Sequence, residues 1–317
     1  MAFSKAGKNR GVQIVLRGFL FCFSKLDILY IKCYNFLKAK GDITVGKFDG
    51  VLICTDLDGT LYRNDKTISK ENRDAIEYFK QEGGFFTFIT GRMPYYSMDA
   101  YNNVNPNVPF GCINGGGLYD GEADKYVWNC EMSHDVCDVI EAVDKNVPSA
   151  GIQVCLFDKT YFSKESDTTE GFRLVTGIPH LVCPYREVTE PIGKIIFCSG
   201  SEDTIFSVEK TLKSHPKAYE FDFIRSERSL FEILPKGVNK GLALEKLVAY
   251  LGVDPRKTVA VGDYNNDIGM FKVAAVGVAV ANACKDAKDA ADFVTVSNEE
   301  HAIAQVIADI ENKKYGF

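Results

Sequence analysis

The chain has 317 residues, of which 46% are hydrophobic and 25% are charged. This balance is typical of a globular protein with one large or two ordinary domains, and it disfavours disorder, collagen-like repeats and a polytopic membrane protein. The net charge of −6 argues against a surface that coats nucleic acid, so no nucleic-acid partner is expected. The ten cysteines form no Cys-x-x-Cys pair and the four histidines are widely separated, which leaves zinc and thiol-redox sites unsupported and favours a reducing, cytoplasmic location.

The first 48 residues differ in charge from the rest of the chain. They carry nine Lys or Arg and two Asp, whereas the remainder is acidic overall. Apolar residues between Leu16 and Leu37 recur at roughly helical spacing, but charged residues such as Arg17 interrupt them, so neither a spanning helix nor a signal peptide is predicted. We interpret residues 1–48 as a basic N-terminal extension with three open roles: peripheral contact with an anionic membrane, docking on the protein or a partner, or a poorly ordered leader.

Buried strands alternate with a helix directly after this extension. Residues 51–55 form a short apolar run that predicts a parallel strand covered on both faces, and residues 85–89 predict a second one. Residues 69–79 between them predict a helix that Ser69 caps and that ends before Gly83.

The middle of the chain, from about residue 119 to 231, has a different pattern. It combines two amphipathic helices with several strand-like stretches, at residues 126–128, 153–157, 194–197 and 230–234. This mixture predicts an α+β module inserted between two halves of a parallel-sheet domain.

The last part of the chain returns to regular alternation. It predicts a helix at 239–251 and strands at 258–261, 276–280 and 293–296. The fold class is therefore α/β, with a mostly parallel sheet and right-handed crossovers. The predicted organisation is a core formed by residues 49–118 and 232–317, with residues 119–231 as the inserted module.

Acidic residues follow two of the predicted core strands at the points where these strands end. Asp56 and Asp58 come directly after the first strand, and Asp263 and Asp267 follow the strand at 258–261. Ligands of open α/β sheets bind beyond the carboxyl ends of strands, and buried acidic clusters there need a cation or hydrogen bonds. The second cluster could instead cap the next helix. Because both clusters belong to one domain, we expect a shared Mg²⁺ ion.

Another strand end and a helix start carry candidates for phosphate binding. Thr90 and Gly91 follow the second core strand, where a Thr hydroxyl and a backbone N–H can donate to a phosphate oxygen, although an ordinary turn also explains such a residue. Lys240 lies at the start of a helix, where its charge opposes the helix dipole, and a role as a phosphate-facing cation would explain this position, although taken alone an ordinary solvated lysine is the favoured interpretation. Lys236 competes for the same role.

Together these motifs resemble those of the haloacid dehalogenase (HAD) superfamily of phosphohydrolases, specifically its Cof-type subfamily IIB with a large cap. The resemblance covers about residues 49–317 through four motifs in the family's order: Asp56-Leu-Asp58-Gly-Thr60, Thr90-Gly91-Arg92, the stretch from Glu232 to Gly241, and Gly262-Asp263 with Asn266-Asp267. It implies a Rossmann-like parallel-sheet core with an inserted α+β cap, and it favours Lys240 over Lys236. Tyr264 departs from the family pattern, in which small or acidic residues are common, and is expected to alter access to the site.

The resemblance also implies a mechanism. Asp56 would attack phosphorus and form an aspartyl-phosphate, while Asp58 would protonate the leaving oxygen and then activate water. The cofactor Mg²⁺ would be held by Asp56, Asp263 and the backbone carbonyl of Asp58, with Asp267 in support. The phosphate would be bound by Thr90, Gly91, Lys240 and Asn266.

The function implied is a Mg²⁺-dependent phosphatase that acts on a small phosphorylated metabolite, such as a sugar phosphate, flavin mononucleotide or pyridoxal phosphate. The cap would provide most of the selectivity for the leaving group, and the strand-like stretch 61–68 would form a flap beside the site. Two other functions stay open: a phosphotransferase or mutase, and a catalytically silent binding or regulatory protein. Release of free phosphate without an acceptor distinguishes the first of these, and the intact acidic motifs argue against the second.

Overall fold

The computed structural model describes residues 46–317. The predictions for the first 45 residues, including the helical periodicity and the membrane contact of the basic extension, lie outside the described residues. Between residues 46 and 317 there is no helix with the length and apolar character needed to cross a membrane. The eight cysteines in this range are free thiols.

Strands and helices occupy most of the described chain. The strands are β1 Leu52–Thr55, β2 Phe85–Phe88, β3 Phe110–Cys112, β4 Gly117–Asp120, β5 Lys125–Asn129, β6 Gly151–Leu156, β7 Thr160–Lys164, β8 Ile192–Cys198, β9 Phe221–Glu227, β10 Leu230–Pro235, β11 Thr258–Gly262, β12 Val276–Ala279 and β13 Phe293–Val294. The helices are α1 Lys70–Gln81, α2 Met98–Val104, α3 Val136–Asn146, α4 Thr169–Thr176, α5 Glu202–Lys213, α6 Lys240–Leu251, α7 Ile268–Val273, α8 Lys285–Ala290 and α9 Ala302–Glu311.

The first sheet consists of five parallel strands in the order β13-β12-β11-β1-β2. Every residue of β1 and β11 is buried, which explains why these strands are continuous apolar runs rather than alternating patterns. Helix α9 packs against α1, and α6 packs against α7. The predicted α/β class with a parallel sheet is confirmed, although the last strand ends at Val294.

Local capping signals set the ends of the helices that matter for the site. The Ser69 hydroxyl accepts the Asn72 N–H at the start of α1, as its position predicts. The Asn239 side chain accepts the Leu242 N–H at 3.2 Å, and this cap makes Lys240 the first residue of α6. Gly252 ends α6 in the left-handed conformation that glycine adopts without strain.

The second sheet is antiparallel, with the order β7-β6-β8-β10-β9, and it is formed by the middle of the chain. Side chains on β8 alternate between its two faces. Ile195 and Phe197 are buried in a second hydrophobic cluster with residues of α3 and α5, whereas Lys194 and Ile196 line a cavity on the other face. The strands and helices predicted for the inserted module are therefore present.

A third sheet, β3-β4-β5, is small and antiparallel. Leu118 belongs to the hydrophobic cluster of the first sheet, and Tyr126 and Trp128 pack against that cluster. The predicted limits of the insertion, 119–231, stay a prediction. We propose that the insertion begins after β5, since the packing of this sheet joins it to the core.

The described chain begins at the amino end of β1, opposite the edge where the strands end. The Phe48 ring is buried and lies 4.9 Å from the ring of Phe79 in α1, measured between centroids. The Lys47 ammonium contacts Glu311 at 2.7 Å and the Tyr78 hydroxyl at 2.8 Å, which fixes this segment to α9 and α1.

The stretch 61–68, which looks strand-like in the sequence, is not a strand in the structure. It turns back on itself through a hydrogen bond from the Arg63 N–H to the Thr67 carbonyl at 2.9 Å. The Asp65 carboxylate accepts the Thr67 N–H, and Lys66 has a φ of 63°. Asp65 thus forms the local side-chain turn that competes with strand pairing.

Candidate active site

The first acidic motif lies at the carboxyl end of β1. The Asp56 N–H donates to the Val261 carbonyl of β11 at 2.8 Å, so the first residue after the strand is still held by the neighbouring strand. The chain then makes a tight turn over Leu57–Leu61. Gly59 is required there because its φ is 81° and an added Cβ would lie 2.6 Å from an oxygen of Asp263.

The Lys240 ammonium lies between two carboxylates at the start of α6. Its Nζ is 2.5 Å from Asp56 Oδ1 and 2.6 Å from Asp267 Oδ1, and the side chain is 1% exposed. Lys236 instead forms an ion pair with Asp222 at 2.7 Å and is 59% exposed. The structure thus brings Lys240, rather than Lys236, to the acidic motifs.

The two other aspartates of the cluster have different surroundings. Asp267 is fully buried, and its Oδ2 accepts the backbone N–H groups of Asp263 and Tyr264, both at 2.9 Å. Asp263 Oδ1 accepts the Thr60 hydroxyl at 2.8 Å. Because both oxygens of Asp267 are engaged, its position suits support of the 263–264 backbone and of Lys240 better than a direct metal contact.

The donor set fits a hard divalent cation. One oxygen from each of Asp56, Asp263 and Asp267 lies within 4.8 Å of the others. Carboxylate oxygens are the ligands that Mg²⁺ prefers, and these three carboxylates, two of them buried and Asp263 half-buried, exceed what the single charge of Lys240 neutralises. The residues present therefore fit the Mg²⁺ ion expected from the sequence, with Asp56 and Asp263 as the carboxylates best placed to bind it.

The proton affinities of these groups reflect this excess of negative charge. Burial, together with the neighbouring Asp267 and Asp263 carboxylates, raises the pKa of Asp56 well above its usual value, although Lys240 acts against this. Burial and Asp267 raise the pKa of Asp263 to about 6. Burial disfavours the charge of Lys240, but Asp267 and Asp56 outweigh it and raise its pKa, so this side chain is an ammonium at neutral pH.

The carboxylate of Asp58 points to a different set of partners. Arg92 donates to it through Nε at 3.0 Å and Nη2 at 2.7 Å, and Lys66 Nζ lies 2.9 Å away. Burial alone would raise the pKa of Asp58, but Arg92 and Lys66 hold it below the usual value. A bidentate arginine also fixes the orientation of this carboxylate, and only its backbone carbonyl stays a candidate metal ligand.

Three of the candidate phosphate-binding residues, Thr90, Gly91 and Asn266, line one cavity with Asp56, whereas the fully buried Lys240 lies behind its wall. The backbone N–H of Thr90 donates to the Gly111 carbonyl at 3.0 Å, so the group of Thr90 that is placed to donate to a ligand is its hydroxyl. An added Cβ at Gly91 would lie 2.9 Å from Asn114 Oδ1. The Asn266 amide donates to that same oxygen at 3.3 Å.

Some residues of this site were not assigned from the sequence. Arg92 belongs to the Thr90-Gly91-Arg92 motif, and its position two residues after Thr90 is the sequence signal that points to a role in the site. Lys66 had no comparable signal, because its approach to Asp58 depends on the turn around Asp65. Tyr264, the departure from the family pattern, is 45% exposed and lines the cavity, as expected for a residue that affects access.

The cavity lies between the first and second sheets and has a volume of about 1060 Å³. One wall includes Asp56, Asp58, Asp263, Thr90, Gly91 and Asn266. The opposite wall belongs to the inserted module and includes Thr168, Phe172, Thr176, Ser226 and Glu227. An acidic centre with nearby hydroxyl, amide and cationic donors suits a phosphorylated ligand, and the chain is an α/β enzyme of the phosphatase type.

Known proteins with similar sequence and structure point to the same class. The sequence matches the haloacid dehalogenase-like hydrolases over residues 53–307. The 5-amino-6-(5-phospho-D-ribitylamino)uracil phosphatase YwtE of Bacillus subtilis is 27% identical, over 83% of this chain and 99% of its own length. A haloacid dehalogenase-like hydrolase from Bacteroides thetaiotaomicron has a TM-score of 0.73 at 25% identity, covering 82% of this chain and 99% of its own. The subclass IIB sugar phosphatase BT4131 shares the fold, with a TM-score of 0.72 at 19% identity over 82% of this chain and 98% of its own.

The chain belongs to the haloacid dehalogenase-like hydrolase family. The resemblance predicted from the four motifs is thereby confirmed, and so is the class of enzyme.

Proposed function

We propose that this protein is a Mg²⁺-dependent phosphohydrolase that removes phosphate from a small phosphomonoester through an aspartyl-phosphate on Asp56. One observation carries the proposal: Asp56 lies at the carboxyl end of β1, in the cavity, with Lys240 2.5 Å from one oxygen and the Asp263 carboxylate close by. A carboxylate held in this way has a fixed direction of attack and a cationic partner that limits its charge.

Asp56 and Asp263, with the backbone carbonyl of Asp58, would hold the metal ion, and Asp267 would support them. When bound, Mg²⁺ would neutralise charge on the transferring phosphoryl group. The other contacts to the phosphoryl group would come from residues of the protein. The Thr90 hydroxyl and the Lys240 ammonium would donate to phosphoryl oxygens, while Gly91 and Asn266 would complete the binding pocket.

Asp58 would move the protons of the reaction. As an acid it would give a proton to the leaving oxygen, and as a base it would then take one from the water that attacks the aspartyl-phosphate. The bidentate contact with Arg92 would hold its carboxylate in one orientation for both steps. Its lowered pKa keeps the carboxyl ionised at neutral pH in the free protein, which favours its role as the base. To act as the acid it must first take up a proton, and the negative charge of a bound phosphomonoester would raise its pKa and favour this step.

The substrate class follows from the cavity and from the relatives. About 1060 Å³ accommodates a small phosphorylated metabolite, and the wall from the inserted module offers hydroxyl groups and one aromatic ring to a leaving group. The relative from Bacillus subtilis is named for a phosphorylated ribitylamino compound, and BT4131 is named as a sugar phosphatase. A phosphorylated sugar or sugar alcohol is therefore our first choice of substrate.

The direct test is phosphate release from a panel of such phosphomonoesters, measured with Mg²⁺ and with EDTA. We expect Mg²⁺-dependent release without any added acceptor. Release only in the presence of a second sugar would favour a phosphotransferase or mutase. Tight binding of these compounds with no chemical change would favour a silent binding protein, and either result would replace the proposal.

The variant Asp58→Asn tests the proton-transfer role. We expect phosphate release from an alkyl phosphomonoester to fall by about 10²- to 10⁴-fold, the usual contribution of a positioned acid or base. With p-nitrophenyl phosphate, whose leaving group needs no proton, phosphorylated protein should accumulate and be detectable by intact mass after rapid quenching. The matched control is Asp99→Asn, a second carboxylate that lines the cavity, which should stay within a few-fold of wild type. Unchanged turnover of the alkyl substrate by Asp58→Asn would contradict the role.

Thermal unfolding tests the metal site through its dependence on pH. At pH 7.5, Mg²⁺ at about 100 times its Kd should stabilise the protein by about 2.7 kcal/mol and raise Tm accordingly. The shift should shrink below about pH 6, because Asp263 has a pKa raised to about 6 and protons then compete with the metal for its carboxylate. The stability of the metal-free protein should change with pH in the opposite direction. It should rise as the pH falls, because a carboxyl with a raised pKa binds its proton more readily in the folded than in the unfolded state. Asp263→Asn should abolish the Mg²⁺ shift at both pH values, and a shift independent of pH and of Asp263 would exclude this ligand set.

A further inference from the structure

A buried ion pair joins the inserted sheet to the phosphate-binding side of the cavity. Lys194 on β8 and Glu232 on β10 lie 2.9 Å apart, and their side chains are only 3% and 4% exposed. They project from the face of the second sheet that is turned toward the core, as Lys194 and Ile196 both line the cavity. Both charges are therefore placed between the two sheets rather than within either hydrophobic cluster.

Each member of the pair also contacts a loop outside the inserted sheet: Lys194 the loop that follows β2, and Glu232 the turn between β3 and β4. The Lys194 ammonium donates to the Gly91 carbonyl at 3.0 Å. The Asn114 amide donates at 3.0 Å to Glu232 Oε2, the oxygen that also contacts Lys194. Glu232 Oε1 accepts the Ser226 hydroxyl at 2.6 Å. A buried charge is tolerated only when such partners satisfy it, and here part of that set comes from the catalytic domain.

These contacts act on two loops that are themselves linked. The Asn114 N–H donates to the Thr90 carbonyl at 3.1 Å, and the Ile113 N–H donates to the Arg92 carbonyl at 3.0 Å. Ile113 and Asn114 have φ values of 57° and 51°, in the left-handed region that a β-branched residue such as isoleucine rarely adopts. A backbone held in this conformation needs contacts that fix it, and Glu232 supplies one through the Asn114 side chain.

We propose that Lys194 and Glu232 are positioning residues that fix the Thr90–Gly91 segment and the 113–114 turn relative to the inserted sheet. The inference rests on the proposed function only in that this segment is assigned to phosphate binding. The closure of the cavity and the placement of the phosphate contacts would therefore both depend on the Lys194–Glu232 ion pair. A displacement of about 1 Å in such a segment reduces turnover by about 10²-fold in other enzymes.

The test compares variants that separate positioning from stability. Lys194→Met removes one charge and leaves Glu232 buried without its cation. The double variant Lys194→Met/Glu232→Leu removes both charges, and replacing a buried ion pair by apolar residues often restores stability. Ile195→Ala is the matched control, because this neighbour on the same strand is fully buried in the second hydrophobic cluster, on the opposite face of the sheet from Lys194.

Two readouts decide the inference. The first is the kcat and KM for p-nitrophenyl phosphate with Mg²⁺. The second is hydrogen exchange of the Ile113 and Asn114 amides, which does not require activity. We expect the double variant to lose about 10- to 100-fold in kcat and to exchange these amides at least about 10-fold faster, with a Tm near wild type. Ile195→Ala should lower Tm yet keep kcat within about twofold.

The possible results distinguish this inference from the proposed function. Wild-type kcat and wild-type exchange in the double variant would overturn the positioning role. The same loss of kcat in Ile195→Ala, in proportion to its Tm, would also overturn it, since the pair would then act only through stability. If the wild-type protein hydrolyses no phosphomonoester, the proposed function fails, and the exchange of the two amides still decides whether the pair holds the loops.

Discussion

Replacing Asp56 with asparagine is expected to reduce phosphate release by at least about 10⁴-fold while the protein stays folded. The amide lacks the negative charge needed to attack phosphorus, and loss of a nucleophile leaves only the contribution of binding and of the remaining charges. The measurement is phosphate release from the best substrate of the panel, with Mg²⁺, from enzyme purified away from any wild-type protein.

The stability of Asp56→Asn gives a second, independent expectation. Because the pKa of Asp56 is raised in the folded protein, its ionised form disfavours folding when no metal is bound. An asparagine removes this charge and can still accept the Lys240 hydrogen bond, so the metal-free variant should unfold at the wild-type temperature or above it. Asp74→Asn, at an exposed position in α1, is the matched control for loss of one carboxylate. Substantial turnover by Asp56→Asn would exclude Asp56 as the nucleophile.

Replacing Lys240 with methionine is expected to affect both folding and activity. The substitution leaves Asp56 and Asp267 without the ammonium that lies within 2.6 Å of both. Removing one partner of a buried ion pair costs about 3–5 kcal/mol, and we expect a loss of that size in the free energy of unfolding at pH 7.5. Phosphate release should fall by about 10²- to 10³-fold, since one charged contact to the phosphoryl oxygens is lost.

The pH dependence of the stability of Lys240→Met distinguishes unpaired charge from a packing defect as the cause of its lower stability. Asp56, which loses its cation, takes up a proton more readily in the folded than in the unfolded protein, because burial and the neighbouring carboxylates raise its pKa, and the pKa of the nearby Asp263 is raised as well. The deficit in stability should therefore shrink as the pH falls from 7.5 toward 5, and Mg²⁺ should reduce it at pH 7.5. Lys236→Met, which removes an exposed lysine four residues earlier, should change stability by less than about 1 kcal/mol. A deficit independent of both pH and Mg²⁺ would indicate a packing defect instead.

The core strands were predictable because their burial on both faces makes them apolar runs. The run from 51 to 55 and the cap residues Ser69 and Asn239 mark elements that form almost where the sequence places them. The convergence of Asp56 and Asp263 was also predictable, because the carboxyl ends of adjacent parallel strands meet at one edge.

Other parts of the site depend on information that one sequence does not carry. The turn at 63–67 resembles a strand in composition, and hydrogen bonds of Asp65, together with the contacts of Arg63 and Asn64 to Glu299, hold it in its shape. The partners of Asp58 come from Arg92 and from Lys66, which are held by separate loops. The pairing of Lys194 with Glu232 requires β8 and β10 to be neighbours in an antiparallel sheet, and their spacing in the sequence does not reveal this. The contacts that occupy both Asp267 oxygens likewise form only in the folded protein and cannot be derived from the sequence.

The contact of Lys47 with Glu311 has a practical consequence for handling the enzyme. This contact lies at the amino end of β1, whereas the cavity is reached from the carboxyl ends of the strands. A solid support or a fluorescent label attached directly ahead of Lys47 would therefore lie on the far side of the parallel sheet from the substrate. Immobilised protein oriented in this way would keep its cavity facing the flowing solution, which suits repeated screening of substrate panels on one surface.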